Sequence, residues 1–275
     1  MAPWSPSGGG PDGPTRDEHG GAVTSLGPAE RAVLLAFADD EHLMGQRHTE
    51  WIGVAPFLEE DMAFASIGQD ELGHAAMLYE LVISDLTGAP PSAQAVDALA
   101  FRRDPADYRS CWLAEAACSE WASALVRHWM YDTAEALRWQ ELAGSSDVRL
   151  RDIAVRAMSE ERYHLRHADA LLDALAGDAD AGARLADALA EMLPLGVALF
   201  DDPLGADNAV GSTVGRPLAA LTQEWQAAVD RRFGTRTWGS IETVDQARRT
   251  LRSAQFATVY ADMREVIMLD PEATW

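Results

Sequence analysis

The chain has 275 residues, 48% of them hydrophobic, which is enough to bury a sizeable core. Its 44 acids face 22 bases, all of them arginine. A net charge of -22 argues against nucleic acid as a partner, and without lysine neither Schiff-base chemistry nor a phosphate-binding P-loop is available.

In chain order, residues 1–27 are rich in Gly, Pro and polar side chains and read as a disordered leader. From Pro28 onward apolar residues recur at the helical period with no alternating strand pattern, so the expected fold class is all-α. A first helix is expected from Pro28 to about Val54 and a second from Pro56 to about Thr87. A third runs from Pro105 to about Ala143 and a fourth from Asp147 to about Ala176. Proline in the first turn opens three of them, and Gly88, Gly144 and Gly177 follow three ends. The connections at 53–56 and 143–147 are short, so each pair forms an antiparallel hairpin, and 88–105 is long enough for a crossover. Two hairpins joined in this way make a four-helix bundle over about 28–176. Residues 177–275 read as a C-terminal extension packed on the bundle, with helices near 181–193, 217–233 and 242–268 and an irregular stretch at 194–215. Cys111 and Cys118 fall within the third helix, about 10 Å apart at 1.5 Å rise per residue. That excludes a disulfide. Free thiols, no signal-peptide pattern and no long apolar run predict a cytoplasmic protein without membrane contact.

Two Glu-x-x-His pairs interrupt the apolar stripes. Glu71 and His74 lie on the second helix among Phe64, Gly68, Ala75 and Leu78, and Glu161 and His164 lie on the fourth among Ala154, Ala157, Ala168 and Leu171. Residues three apart share one side of a helix, so each pair can reach one ion. Chance alone yields roughly 0.5 such matches in this composition, so one would mean little. Two, each on the second helix of a hairpin and each facing inward, point to a di-metal carboxylate centre, which also needs one carboxylate from each remaining helix.

Antiparallel residues at one height are equidistant from their turn. Glu41 and Glu71 are centred on Pro56, whereas Glu50 would centre inside the second helix. On the third helix Asp132 is preferred, Glu135 comes second and Glu120 is poor. Asp70 and Glu160 each precede a Glu-x-x-His; a metal-bound imidazole donates its free N–H to a carboxylate, so Asp70 is expected beside His164 and Glu160 beside His74. His48 and His128 share the faces of Glu41 and Asp132 and read as packing residues. His42 and His167 read as surface and His19 as tail. The arginine pairs 102/103, 231/232 and 248/249 read as solvated faces, and Trp51, Trp121, Trp129 and Trp139 as residues of the core or of contacts between subunits.

The stretches "DDEHLMGQRHTEWIGVAPFLEEDMAFASIGQDELGHA" and "MSEERYHLRHADALL" and the ending "DPEATW" resemble the phenylacetyl-CoA epoxidase (phenylacetate-CoA oxygenase) subunit family, most of all its C-type member. The resemblance spans about Pro28 to Trp275. It implies a ferritin-like bundle and a multi-subunit oxygenase in which the A-type subunit holds the di-iron centre and the C-type usually lacks a working one. This chain departs from the C-type pattern, because Glu41, Glu71 and His74 stand where non-ligating residues are usual. The set matching the catalytic type is complete: Glu41, Glu71, His74, Asp132, Glu161 and His164. The leading expectation is therefore a di-iron oxygenase or oxidase component with two Fe ions, Mn or a mixed Mn/Fe pair fitting the same ligands. Glu71 and Glu161 would bridge, and Glu41 and Asp132 would be terminal. The expected reactants are O2 and a small organic substrate such as an acyl-CoA, with a separate reductase supplying electrons and a homologous subunit as partner. The alternatives are a non-catalytic scaffold subunit and a ferritin- or peroxidase-like iron protein.

Overall fold

The computed structural model describes residues 25–203, 213–241 and 249–270. Most of the expected leader, including His19, together with 204–212, 242–248 and the last five residues, lies outside them. The regular elements among the described residues are all helices, and no strand occurs among them. The bundle is formed by α1 (Pro28–Thr49), α2 (Leu58–Thr87), α5 (Trp121–Leu142) and α6 (Val148–Ala176), in two antiparallel hairpins. The crossover holds α3 (Ala93–Phe101) and the single turn α4 (Trp112–Glu115). Against the bundle pack α7 (Ala179–Gly196), α8 (Thr222–Phe233) and α9 (Phe256–Asp262), and α10 (Glu265–Leu269) follows.

The helix ends follow local chemistry. Pro28 opens α1, and the Glu30 carboxylate accepts the Gly27 N–H at 2.6 Å. Just before the helix, within the expected leader, Leu26 is buried and its N–H donates to Asp85 at 3.0 Å. Asp147 caps α6 by accepting the Arg149 N–H at 2.9 Å, and Gly88 ends α2 at φ 67°, in the left-handed region. The turn between α1 and α2 is wider than expected: Pro56 lies in it, and α2 starts at Leu58.

The largest departure is α5, which begins at Trp121 rather than Pro105. Between them Pro105 opens only a short 3-10 turn (Pro105–Asp107), and the chain then extends and makes α4. Tertiary bonds hold it so. The Cys111 N–H donates to Asp40 at 2.7 Å, and buried Glu115 accepts from the Ser253 N–H and the Arg252 guanidinium, both at 2.6 Å. Helical spacing therefore does not describe Cys111 and Cys118, both of which are free thiols.

Two apolar clusters fill the bundle, and the buried acids lie between them. One gathers Leu34, Phe37, Leu78, Trp139 and Leu150; the other gathers Leu43, Met44, Leu125, Met130 and Leu172. In the first hairpin the main chains nearly touch. A Cβ on Gly45 would fall 2.9 Å from the Gly68 carbonyl oxygen and 2.7 Å from Leu72 Cγ, so only glycine fits that approach. None of the described helices is long and apolar enough to cross a membrane.

Candidate metal centre

All six expected residues point into the bundle and are at most 1% exposed. They fall into two groups, and a seventh joins them. Glu41, Glu71, His74 and Glu135 each offer one atom within 4.8 Å of the others, and Asp132, Glu161 and His164 do the same. Glu135 lies one turn beyond Asp132 on α5, so the inward face of that helix presents both acids rather than one. Glu120 precedes α5, is exposed, and lies outside both groups.

The imidazoles are oriented from across the bundle. His74 Nε2 lies 2.8 Å from Glu160 on α6, and His164 Nε2 lies 3.2 Å from Asp70 on α2. Each Nδ1 therefore faces the acids. His74 Nδ1 is 3.2 Å from Glu41 and 3.3 Å from Glu135, and His164 Nδ1 is 3.0 Å from Glu161. Two further donors grip the first group: the Tyr131 hydroxyl donates to Glu41 at 2.5 Å, and the Trp139 indole N–H donates to Glu135 at 2.7 Å. Both oxygens of Glu71 and the second oxygen of Glu135 have no hydrogen-bond partner among the described residues, and the nearest nitrogens to Asp132 and Glu161 are imidazole Nδ1 atoms, of His128 and His164, each at 3.0 Å.

Such crowding strains ionisation. Burial, then the charges of neighbouring carboxylates, pushes Glu71 well above the usual carboxylate range. Burial also pushes Asp132 and Glu161 well above it, and burial with the charge of Glu135 raises Glu41 to about 8. Glu135 goes the other way, to about 2, because bonds to His74 and Glu41 outweigh its burial. His74 rises to about 12: burial opposes the proton, and bonds to Glu135 and Glu41 hold it. Five carboxylates and two imidazoles in one dry space call for cations. Two divalent ions answer five negative charges far better than two imidazolium groups. The inward Nδ1 atoms and unpartnered oxygens are the donor set that iron or manganese takes.

Other polar residues fall elsewhere. The rings of His48 and His128 pack edge-to-face 5.0 Å apart and against Phe64, and His128, though in neither group, places Nδ1 3.0 Å from Asp132. His42 is buried between Tyr79 and Phe101 rather than on the surface, and half-buried His167 bonds Glu60 at 2.9 Å. Two of the arginines read as solvated are internal: Arg103 binds Asp39, and Arg249 binds Asp40 at 3.0 Å. Tyr131 and Trp139 were not foreseen as carboxylate donors. Trp139 stands four residues after Glu135, one helical turn, and that spacing was the available signal.

A model of the family described as phenylacetic acid catabolic protein matches residues 26–275. Over 171 residues, the chain is 32% identical to the C subunit of 1,2-phenylacetyl-CoA epoxidase from Escherichia coli (strain K12), a match covering 62% of this chain and 67% of that protein.

Proposed function

The chain belongs to the phenylacetic acid catabolic protein family, and from that premise we propose that it is an O2-activating di-metal oxygenase component rather than a bystander in its assembly. One observation carries the reading. Each Glu-x-x-His imidazole is bonded at Nε2 by a carboxylate of the opposite helix, leaving Nδ1 and a set of unpartnered, buried carboxylate oxygens to face each other.

In this reading Glu41, Glu71, His74, Asp132, Glu161 and His164 would hold the two ions. Two iron ions, or manganese in either place, would supply electrons to O2 and so the oxidising power for an acyl-CoA or similar small organic substrate. The protein's own part is positional. Glu160 and Asp70 set the imidazole planes and, by accepting from Nε2, would leave each Nδ1 to an ion once one displaces its proton, and Tyr131 holds one oxygen of Glu41. The apolar clusters on either side exclude water, which strengthens every charge interaction between them. No dinucleotide fingerprint or cysteine cluster occurs in the sequence, so electrons come from a separate reductase.

Anaerobic reconstitution with iron, followed by elemental analysis, is expected to give about two ions per chain. The reduced protein, with its copurifying partner and an aromatic acyl-CoA, is expected to consume O2 and oxygenate the thioester. Less than about half an ion per chain would sink the reading. A second reading, a non-catalytic scaffold, draws on the similarity to the C subunit of an epoxidase. It is supported if a co-expressed complex keeps full activity after Glu71→Gln in this chain.

A further inference from the structure

The two halves of the centre are not equally equipped. The half made by Glu41, Glu71, His74 and Glu135 has four donors, three of them carboxylates; the half made by Asp132, Glu161 and His164 has three, two of them carboxylates. Letting Glu71 and Glu161 bridge adds one donor to each and leaves the difference intact.

The surroundings differ in the same direction. In the first half Tyr131 holds one oxygen of Glu41, leaving the other to His74, and Trp139 holds the oxygen of Glu135 that lies 3.3 Å from His74 Nδ1, leaving its second oxygen unpartnered. Tyr131 is itself fixed: it is fully buried, and the Arg138 guanidinium, bonded to Asp40 at 2.9 Å, lies 5.2 Å from its ring centroid. The bond orienting His74 measures 2.8 Å, against 3.2 Å for the one orienting His164. In the second half the acids meet only imidazole nitrogens, His128 Nδ1 at 3.0 Å from Asp132 and His164 Nδ1 at 3.0 Å from Glu161, and no phenol or indole among the described residues holds either of them. Ligands already held in place lose less freedom when an ion arrives, and partners behind a ligand are worth about 10–100-fold in metal affinity.

Building on the di-metal reading above, we propose that Glu135 is a seventh donor and that it makes the centre unequal. The Glu41/Glu71/His74/Glu135 half fills first and holds its divalent ion more tightly, while the Asp132/Glu161/His164 half is the exchangeable one. Trp139 is a positioning residue, acting on the ion through Glu135.

The test titrates the full metal-free chain with cobalt(II), following heat and visible absorption, a readout of coordination that needs no turnover. The parent is expected to bind in two steps at least about tenfold apart in Kd. Glu135→Gln keeps an acceptor for Trp139 while removing the charge; it is expected to weaken the first step by about 100-fold and the second by less than about threefold. Trp139→Phe is expected to weaken the first step alone by about tenfold, and Asp132→Asn the second alone. Should Glu135→Gln fail to fold by circular dichroism, the Trp139→Phe titration decides. Two equal sites in the parent, or a Glu135→Gln or Trp139→Phe effect confined to the second step, would overturn the inference and leave the di-metal reading standing. Failure to bind any ion sinks both.

Discussion

Asp39, Asp40 and Glu41 follow one another on α1, all fully buried, and they are provided for in opposite ways. Asp39 accepts from the Tyr79 hydroxyl, the Arg103 guanidinium and the Arg109 N–H, and Asp40 from the Cys111 N–H, Arg138 and Arg249. Glu41 has a phenol on one oxygen and faces Glu135 and His74 with the other. Beyond it Glu71 has no hydrogen-bond partner, and Asp132 and Glu161 meet only imidazoles, with no arginine among the described residues at any of the three. Burial therefore does not tell a structural acid from a working one; the supply of matching cations does. Both oxygens of Asp40 are taken by Cys111, Arg138 and Arg249, a set closed on the side of the acid that ties Arg249 to α1. The acids of the centre form an open set, which on the proposed reading would draw its positive charge from outside the chain.

The sharpest break of that contrast is Asp40→Ala. It strands Arg138 and Arg249 in the interior, and a loss of about 3–5 kcal/mol is expected in urea denaturation. A loss below about 1 kcal/mol would show that water reaches the arginines and that the set is not closed.

Next in size is His42, beside the Asp39 cluster. Burial holds its imidazole down to about 4, the nearby Asp39 opposing and Arg103 reinforcing the effect. A group depressed in this way takes up a proton on unfolding. Its stabilisation is full above the ordinary value of 6.5 and is lost as pH falls from 6.5 to about 4, by about 3 kcal/mol. His42→Phe should flatten that part of the stability–pH curve; parallel curves for parent and variant would place the acid sensitivity elsewhere.

A smaller effect, of opposite sign, is expected at the open set. Burial and neighbouring charges raise the Glu71 carboxyl, so in metal-free protein its contribution is present at low pH and lost as pH rises. At pH 8, Glu71→Gln is expected to stabilise the metal-free chain by about 1–2 kcal/mol while abolishing the extra stability conferred by iron. If it instead costs as much as Asp40→Ala, the distinction between open and closed sets fails. Smallest of all is Glu120→Ala, which should leave thermal stability within about 0.5 kcal/mol and metal content unchanged, since Glu120 is exposed and outside the bundle interior.

The bundle was legible because α1, α2, α5 and α6 repeat their apolar residues at helical spacing and end at recognisable punctuation. The segment before Trp121 was not. Tyr108, Cys111, Leu113 and Ala114 are all buried and suggest a continued helix, but what extends the chain there is Asp40, Arg252 and Ser253, far away in sequence. At the centre, equidistance from the turn located the height of the acids although the first turn proved wider than assumed. A single choice between Asp132 and Glu135 was too narrow, because residues three apart share one face and both fit. The two imidazole partners, Asp70 and Glu160, were found by chemistry rather than periodicity. His42 and the inward arginines were misread because their burial depends on mutual pairing, which hydropathy does not register.

The contact between Gly45 and Gly68 acts as a mechanical stop. Two helices resting main chain against main chain cannot be eased apart or drawn together by choosing different rotamers. The spacing between Glu41 and Glu71, about one turn from that stop, is therefore a fixed dimension of the molecule. On the di-metal reading, adjustment to an ion of another radius would fall to α5 and α6 rather than to this pair.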